Sequence, residues 1–324
     1  MITQTPASHI AMDAADTAAV RRAVLAVRTS GDQIVNDPAT VAAARNASDT
    51  LPLALRRALR EFRRHSGPTG SLLLRGMPVE EDLLPATPSV DGSVQHSLTG
   101  PAAVLMLVAS ALGDPIAFRA EKSGALVQDV VPVPGKEEFQ GNAGSVMLSF
   151  HNENAFHEHR PDYVMLLCLR PDHERVAGLR TACSREVLPL LTVETRRTLF
   201  LPEFVTEAPP SFGANGDATT PHGVLSGAPE DPDMRVDLAA TTPLTQRAKL
   251  ALAELGEVFD RTARSARLVT GDLAIVDNRV TVHGRTAFRP RYDGQDRWLQ
   301  RTFVAVNLRR SRDHRPADGH VLSR

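Results

Sequence analysis

The 324-residue sequence predicts a mainly β fold, a barrel or jelly roll carrying flanking helices. Three observations lead there. Short β-favouring runs bounded by Gly, Pro or Asp dominate the second half. Helical patterns are grouped before and between those runs. No linker divides the chain into two folding units, so a single domain over 1–324 is expected, with a helical part to about 120 and a β core over about 121–310.

In chain order, the Ala-rich, polar stretch to Thr50 reads as short helices packed on the outside. Leu51 to Arg64 places Leu53, Leu55, Leu59 and Phe62 near helical spacing with arginines opposite, and Gly67-Pro68 ends the pattern. Ser71 to Arg75 is a strand, and Pro85 to Ser97 a loop. Ala102 to Leu112 is apolar but too short to span a bilayer, so it reads as a buried helix. Strand-like runs follow at Leu126 to Val131, Ser145 to Phe150 and Tyr163 to Leu169, then helical ones at Arg185 to Leu191 and Thr195 to Phe200. Pro209 to Pro232 is rich in Pro, Gly, Ser and Asp without periodicity; a connection of that length is expected to be a functional loop such as a lid. A long amphipathic helix covers Leu244 to Arg264. The last strands are Leu268 to Val276, broken at Gly271-Asp272, then Arg279 to His283 and Trp298 to Leu308, the last preceded by a Tyr292-Asp293-Gly294 turn.

Composition narrows the function classes. With a net charge of -1 the chain carries no electrostatic footprint for nucleic acid or anionic membrane. The pairs Arg56-Arg57, Arg63-Arg64 and Arg309-Arg310 are short, interspersed with acids, and read as solvated faces. Cys168 and Cys183 form neither a CxxC pair nor a disulfide framework, and Met1 to Ala18 has no signal-peptide pattern; a cytoplasmic location is expected. The expected partner is a small molecule, and the expected state a monomer or weak oligomer.

Phe150-His151-Asn152-Glu153 follows a strand-like run, where alternate side chains share a face and His151 and Glu153 would point the same way. Thr281-Val282-His283-Gly284-Arg285 supplies a second imidazole from a distant strand. Two His and one carboxylate leave open positions on a metal, an arrangement that suits iron(II) and oxygen activation. Arg297 and Arg301, four apart on a strand, would lean to one side, and a guanidinium fork suits a planar carboxylate. The rival set His157-Glu158-His159 has zinc-like spacing but no obvious third ligand and sits beside Arg160-Pro161. Asp277-Asn278 reads as a turn or as support for the metal histidine. The two cysteines have no histidine pattern that would make either a nucleophile.

These residues carry a resemblance. His151-Asn152-Glu153-Asn154-Ala155-Phe156-His157, Arg160-Pro161-Asp162-Tyr163, Ile275-Val276-Asp277-Asn278 and Asp293-Gly294-Gln295-Asp296-Arg297-Trp298 resemble the clavaminate synthase-like branch of the 2-oxoglutarate oxygenases, from about Leu51 to Leu322. The resemblance implies a double-stranded β-helix (jelly-roll) core and the use of Fe(II), 2-oxoglutarate and O2. It puts iron on His151, Glu153 and His283, and the distal carboxylate of 2-oxoglutarate on Arg297, with Thr181 as a second contact. It is nearest to the branch's asparagine-hydroxylating members, which implies hydroxylation of the free amino acid at Cβ. Glu121, Asn142, Asp237 and Arg301 match their amino-acid pocket. Arg235 stands where arginine hydroxylases carry a second acid, which argues against an arginine substrate. Hydroxylation or desaturation of glutamine, lysine or arginine, and a cupin-like binding protein without turnover, stay open as alternatives.

Overall fold

The computed structural model describes residues 9–29, 33–212 and 219–323. Strand β1 (His9–Ala11) precedes helices α1 (Ala14–Arg28), α2 (Pro38–Ser48) and α3 (Leu53–Arg64). Then come β2 (Ser71–Arg75), α4 (Gly100–Leu112), β3 (Asp114–Phe118), β4 (Gln128–Val130), β5 (Leu148–His151), β6 (Tyr163–Arg170) and β7 (Gly178–Cys183). Helices α5 (Ser184–Val187) and α6 (Val193–Leu199) are followed by β8 (Phe204–Thr206), β9 (Leu225–Ser226), β10 (Asp233–Met234) and β11 (Thr241–Pro243). After α7 (Gln246–Thr262) run β12 (Arg264–Arg267), β13 (Leu273–Asp277), β14 (Thr281–Arg285), β15 (Trp298–Ala305) and β16 (Val321–Leu322). Helices α1, α2, α4, α6 and α7 each start where an Asp or Thr side chain accepts a backbone N–H of the first turn.

Two sheets form the frame. The larger has the order β1-β2-β13-β6-β15-β3-β16, with β4 also on β15; the smaller is β12-β7-β14-β5. Period-2 alternation assigns each face. Along β6, Tyr163, Met165, Leu167 and Leu169 join the core beneath α1 to α4, while Val164, Leu166 and Cys168 join the core of Phe303, Leu299 and Leu179, which draws on both sheets. On β14, Val282 packs with Phe259 and Leu255 of α7, which leaves the flanking position His283 to the opposite, inner face. The apolar helix α4 is buried on every side between the other N-terminal helices and the large sheet. Burying each such Leu, Val or Met side chain contributes about 1.5–3 kcal/mol.

The architecture is the expected one, mainly sheet with flanking helices, and several elements differ in detail. Leu53 is 53 % exposed: it occupies the first helical position, off the face formed by Leu55, Leu59 and Phe62. Strands β3 and β7 were not legible from pattern. Pro115 interrupts the first as a strand signal, and β7 is covered on both faces, with Leu179 in the core between the sheets and Ala182 in the core under α7, so its residues do not alternate in polarity. Arg264 begins the edge strand β12 and does not end the preceding helix. Of the expected lid over 209–232, residues 213–218 lie outside the described residues. Cys168 and Cys183 are both buried and free. No helix among the described residues is long and apolar enough to cross a membrane.

Register between β14 and β5 sets the geometry that matters. His283 stands directly opposite His151, and the pairing shifts at a bulge between His283 and Arg285. Gly284 sits at that bulge, where a Cβ would lie 2.5 Å from the Leu148 carbonyl oxygen. Gly284→Ala is therefore expected to destabilise the fold by about 1–3 kcal/mol, from forced backbone displacement. A denaturant melt of the variant against the parent reads this; an unchanged midpoint would show that the bulge yields at no cost.

Candidate metal and substrate site

His151 ends β5, and its Nδ1 lies 3.0 Å from the Ser149 carbonyl, which makes Nδ1 the protonated nitrogen and leaves the Nε2 lone pair open. The His151 and His283 ring centroids are 4.3 Å apart, and His283 Nε2 is 3.5 Å from Glu153 Oε2. One ligand atom from each of His151, Glu153 and His283 lies within 4.8 Å of the others. The structure thus brings together the three residues singled out from sequence, although Glu153 gets there differently: β5 ends at His151, and Glu153 lies in the turn that follows.

That turn is held from a distance. Asn278, at the β13–β14 corner, accepts the Glu153 N–H at 2.7 Å and donates to the Glu153 and Pro161 carbonyls at 3.0 and 2.9 Å. Asn152 donates to the Asn278 and Thr281 carbonyls, at 2.8 and 3.2 Å, and accepts the Val236 N–H. Asn278 therefore supports the carboxylate, not the histidine. Asp277 instead accepts from the Arg279 backbone N–H and guanidinium.

Charge around the triad is nearly all buried. Burial alone would push the Glu153 carboxyl up, but Arg301, His283 and His151 hold it well below the usual carboxylate range. Burial, with His151 beside it, lowers the His283 imidazole, keeping a neutral nitrogen for a metal. Arg301 Nη1 donates to Glu153 Oε2 at 3.0 Å, and its Nη2 to Glu121 and Gln128. With its amide oxygen turned to the guanidinium, Asn142 accepts from both Nη atoms at 3.1 Å. Burial raises Glu121, outweighing the attraction of Arg301. An ionised, buried carboxylate beside two imidazoles is a donor set that fits iron(II).

Two cavities meet at this triad. The outer one, of about 640 Å³, is lined by Glu121, Asn142, Asp237 and Arg301, the four residues matched to an amino-acid pocket, and by Phe212 at the start of the undescribed segment. Residues 236–238 run beside β5, with Asn152 N–H bonded to the Val236 carbonyl and Leu238 N–H to the Phe150 carbonyl, which brings Asp237 opposite His151. Arg235 points elsewhere, donating to the Ala155 and Phe156 carbonyls. The inner cavity shares His151, Glu153 and Arg301 with the outer one and is also lined by Arg285 and Arg297.

Arg285 and Arg297 are both buried, and neither has a carboxylate partner among the described residues. Burial lowers both guanidiniums, Arg285 to about 9 with Arg297 adding repulsion. Sequence reasoning missed Arg285, though its even spacing from His283 on one strand was the available signal. Thr181 stands opposite His283 on β7 but lines neither cavity. The rival pair separates: His157 packs against Phe118 and Phe212, with its ring centroid 6.2 Å from that of His159.

Comparison with known proteins agrees with this geometry. Residues 219–303 match the family described as taurine catabolism dioxygenase TauD, TfdA family. The chain is 60% identical to L-asparagine oxygenase of Streptomyces coelicolor over 98% of its own length and 96% of the relative's. It is 35% identical to clavaminate synthase 2 of Streptomyces clavuligerus, over 82% of each chain. A crystal structure of asparagine oxygenase with Fe(II), 2S,3S-3-hydroxyasparagine and succinate superimposes with a TM-score of 0.96 and 59% identity, covering 98% of this chain and 100% of that one. The iron oxygenase OrfP with Fe and alpha-ketoglutaric acid gives a TM-score of 0.87 at 29% identity, covering 97% and 100%.

The fold and site define a non-haem iron oxygenase that uses Fe(II) and 2-oxoglutarate to hydroxylate an amino acid. The chain belongs to the clavaminate synthase-like branch of that family, together with L-asparagine oxygenase.

The Asn278 bonds generate a test. Asn278→Ala leaves a buried N–H and two buried carbonyls unpaired, an expected loss of about 1–3 kcal/mol. Loosening the group that orients a ligand is expected to weaken metal binding about 10- to 100-fold. Thermal melting and a metal titration read the two effects; a stable variant with parental metal affinity would remove Asn278 from the site.

Proposed function

We propose that this protein hydroxylates free L-asparagine at Cβ, giving 3-hydroxyasparagine while 2-oxoglutarate becomes succinate and CO2. The observation that carries the reading is the junction of two cavities at His151, Glu153 and His283, one lined by two guanidiniums without a carboxylate partner among the described residues and the other by groups of both charges and an amide. His151, Glu153 and His283 would hold the iron. Bound there, iron supplies the oxygen chemistry that replaces an unactivated C–H bond by C–OH as the cosubstrate is oxidised.

The chain's own residues supply position and charge. Arg297 takes the distal carboxylate of 2-oxoglutarate through its planar fork. Arg285 faces the same inner cavity and adds a second cation to that end. A carboxylate arriving there meets two buried charges that have no acid partner among the described residues, which favours a 2-oxo dicarboxylate over a 2-oxo acid whose far end is uncharged. In the outer cavity, which Arg301 lines, its guanidinium pairs with the α-carboxylate of asparagine. Glu121 takes the α-ammonium. Asn142 and Asp237 take the side-chain amide, and the charge on Asp237 rejects aspartate by repulsion. Holding both ends of so short a substrate leaves Cβ nearest the metal, the positional contribution to the rate. We read the chain as one oxygenase domain, since the large sheet draws strands from β1 to β16. The two buried free cysteines support a reducing compartment such as the cytoplasm.

Incubation with asparagine, Fe(II), ascorbate and 2-oxoglutarate is expected to yield succinate and an amino acid heavier by one oxygen atom, read by mass spectrometry. Turnover of glutamine, lysine or arginine in place of asparagine in a parallel panel would overturn the substrate assignment, and no succinate with any of them would overturn the reaction. Replacing Arg297 with Met is expected to raise the KM for 2-oxoglutarate about 10- to 100-fold, the loss of charge-assisted hydrogen bonds worth about 1.5–3 kcal/mol. Arg285→Met is expected to raise the same KM by a smaller factor and leave that for asparagine unchanged. Asp237→Asn is expected to shift acceptance toward aspartate; unchanged selectivity would take Asp237 out of amide recognition.

A further inference from the structure

The segment that follows Glu153 carries a second group of donors, outside both cavities. His159 and His314 have ring centroids 4.9 Å apart, at an interplanar angle of 54°. Asp313 Oδ2 lies 3.5 Å from His314 Nε2. One ligand atom from each of the three residues lies within 4.8 Å of the others. Among the described residues the His159 ring makes no hydrogen bond; only its backbone N–H does, donating to His157 Nδ1 at 2.9 Å. Two imidazoles from distant parts of the chain stand in contact, one of them without a ring hydrogen bond, and the carboxylate that precedes the second lies beside them.

Both halves of the group are fixed from behind. Arg315, buried next to His314, donates to the Leu308 and Gly319 carbonyls and to Ser311 Oγ, which anchors the 308–319 segment on itself. Ser323 N–H bonds to the His314 carbonyl at 2.8 Å, while β16 pairs with β3. On the other side, Arg235 holds the Ala155 and Phe156 carbonyls of the loop that leads to His159. The backbones of both segments are therefore set, with the three ligand atoms already within 4.8 Å of one another.

We propose that His159, His314 and Asp313 form a second metal site, for a late divalent transition ion of the zinc class. Two nitrogens, one carboxylate oxygen and a water complete the four-coordinate shell that zinc prefers. The donor set repeats the inner triad's composition, but Asp313 is 78 % exposed and none of the three residues lines either cavity at the inner triad, so the ion takes no part in turnover. Its effect is to clip the loop after the iron ligands to the C-terminal segment.

The test is metal stoichiometry on the full chain. After chelation and dialysis against zinc, the parent is expected to retain two equivalents, since the inner triad also accepts zinc. His314→Ala and Asp313→Asn are each expected to retain one. His283→Ala, which breaks the inner triad, is expected to keep one equivalent that disappears in the His283→Ala/His314→Ala double variant. Should any His283 variant fail to fold by circular dichroism, Co(II) decides: the visible bands of the parent are expected to lose one component in His314→Ala. A single equivalent in the parent, or a stoichiometry and Co(II) spectrum unchanged by His314→Ala, overturns the site.

Discussion

The arrangement rests on one register, that of β14 against β5. Because His283 is opposite His151, two imidazoles from distant parts of the chain share one face between the sheets. A slip of one residue would send His283 toward α7 and turn Val282 inward, exchanging an imidazole of the triad for an apolar side chain. The bulge beside Gly284 and the cross-ties of Asn152 and Asn278 hold that register against slippage. Neither tie contributes a donor atom to the triad, yet both decide where the donors point.

The second constraint is charge. Glu153, Arg301, Arg285 and Arg297 are all buried, and an unpaired ion in an apolar interior costs several kcal/mol. Arg301 and Glu153 offset each other. Arg285 and Arg297 have no such partner among the described residues, so the interior carries a surplus of positive charge at the end of the inner cavity. A protein tolerates that only where the missing anion arrives from outside. The inner cavity is thus selective through what it lacks, while the outer one, lined by acid, amide and guanidinium together, suits a zwitterion.

Much of this was legible in the sequence. Helix α4, strands β6, β13, β14 and β15, and the residues His151, Glu153, His283, Arg297 and Arg301 all follow from spacing and residue type. What escaped did so for physical reasons. β7 is covered on both faces, so its sequence lacks polar alternation, and β3 contains a proline that tertiary pairing tolerates beside Val304. Glu153 was assigned to a strand face although a distant asparagine places it in a turn, an effect local pattern does not encode. The spatial neighbour of His159 was equally invisible, since His314 ends a 3-10 helix near the far end of the chain.

The cross-tie between Asn152, Asn278 and Glu153 has a geometric consequence. The two chain segments that carry the donors are fastened to each other as well as to their own strands, so neither can open alone. Separating the two segments requires several buried hydrogen bonds to break in concert, so the spacing of the three donors persists whether or not a cavity beside them is filled. The donor geometry is thus built into the fold before any ligand arrives.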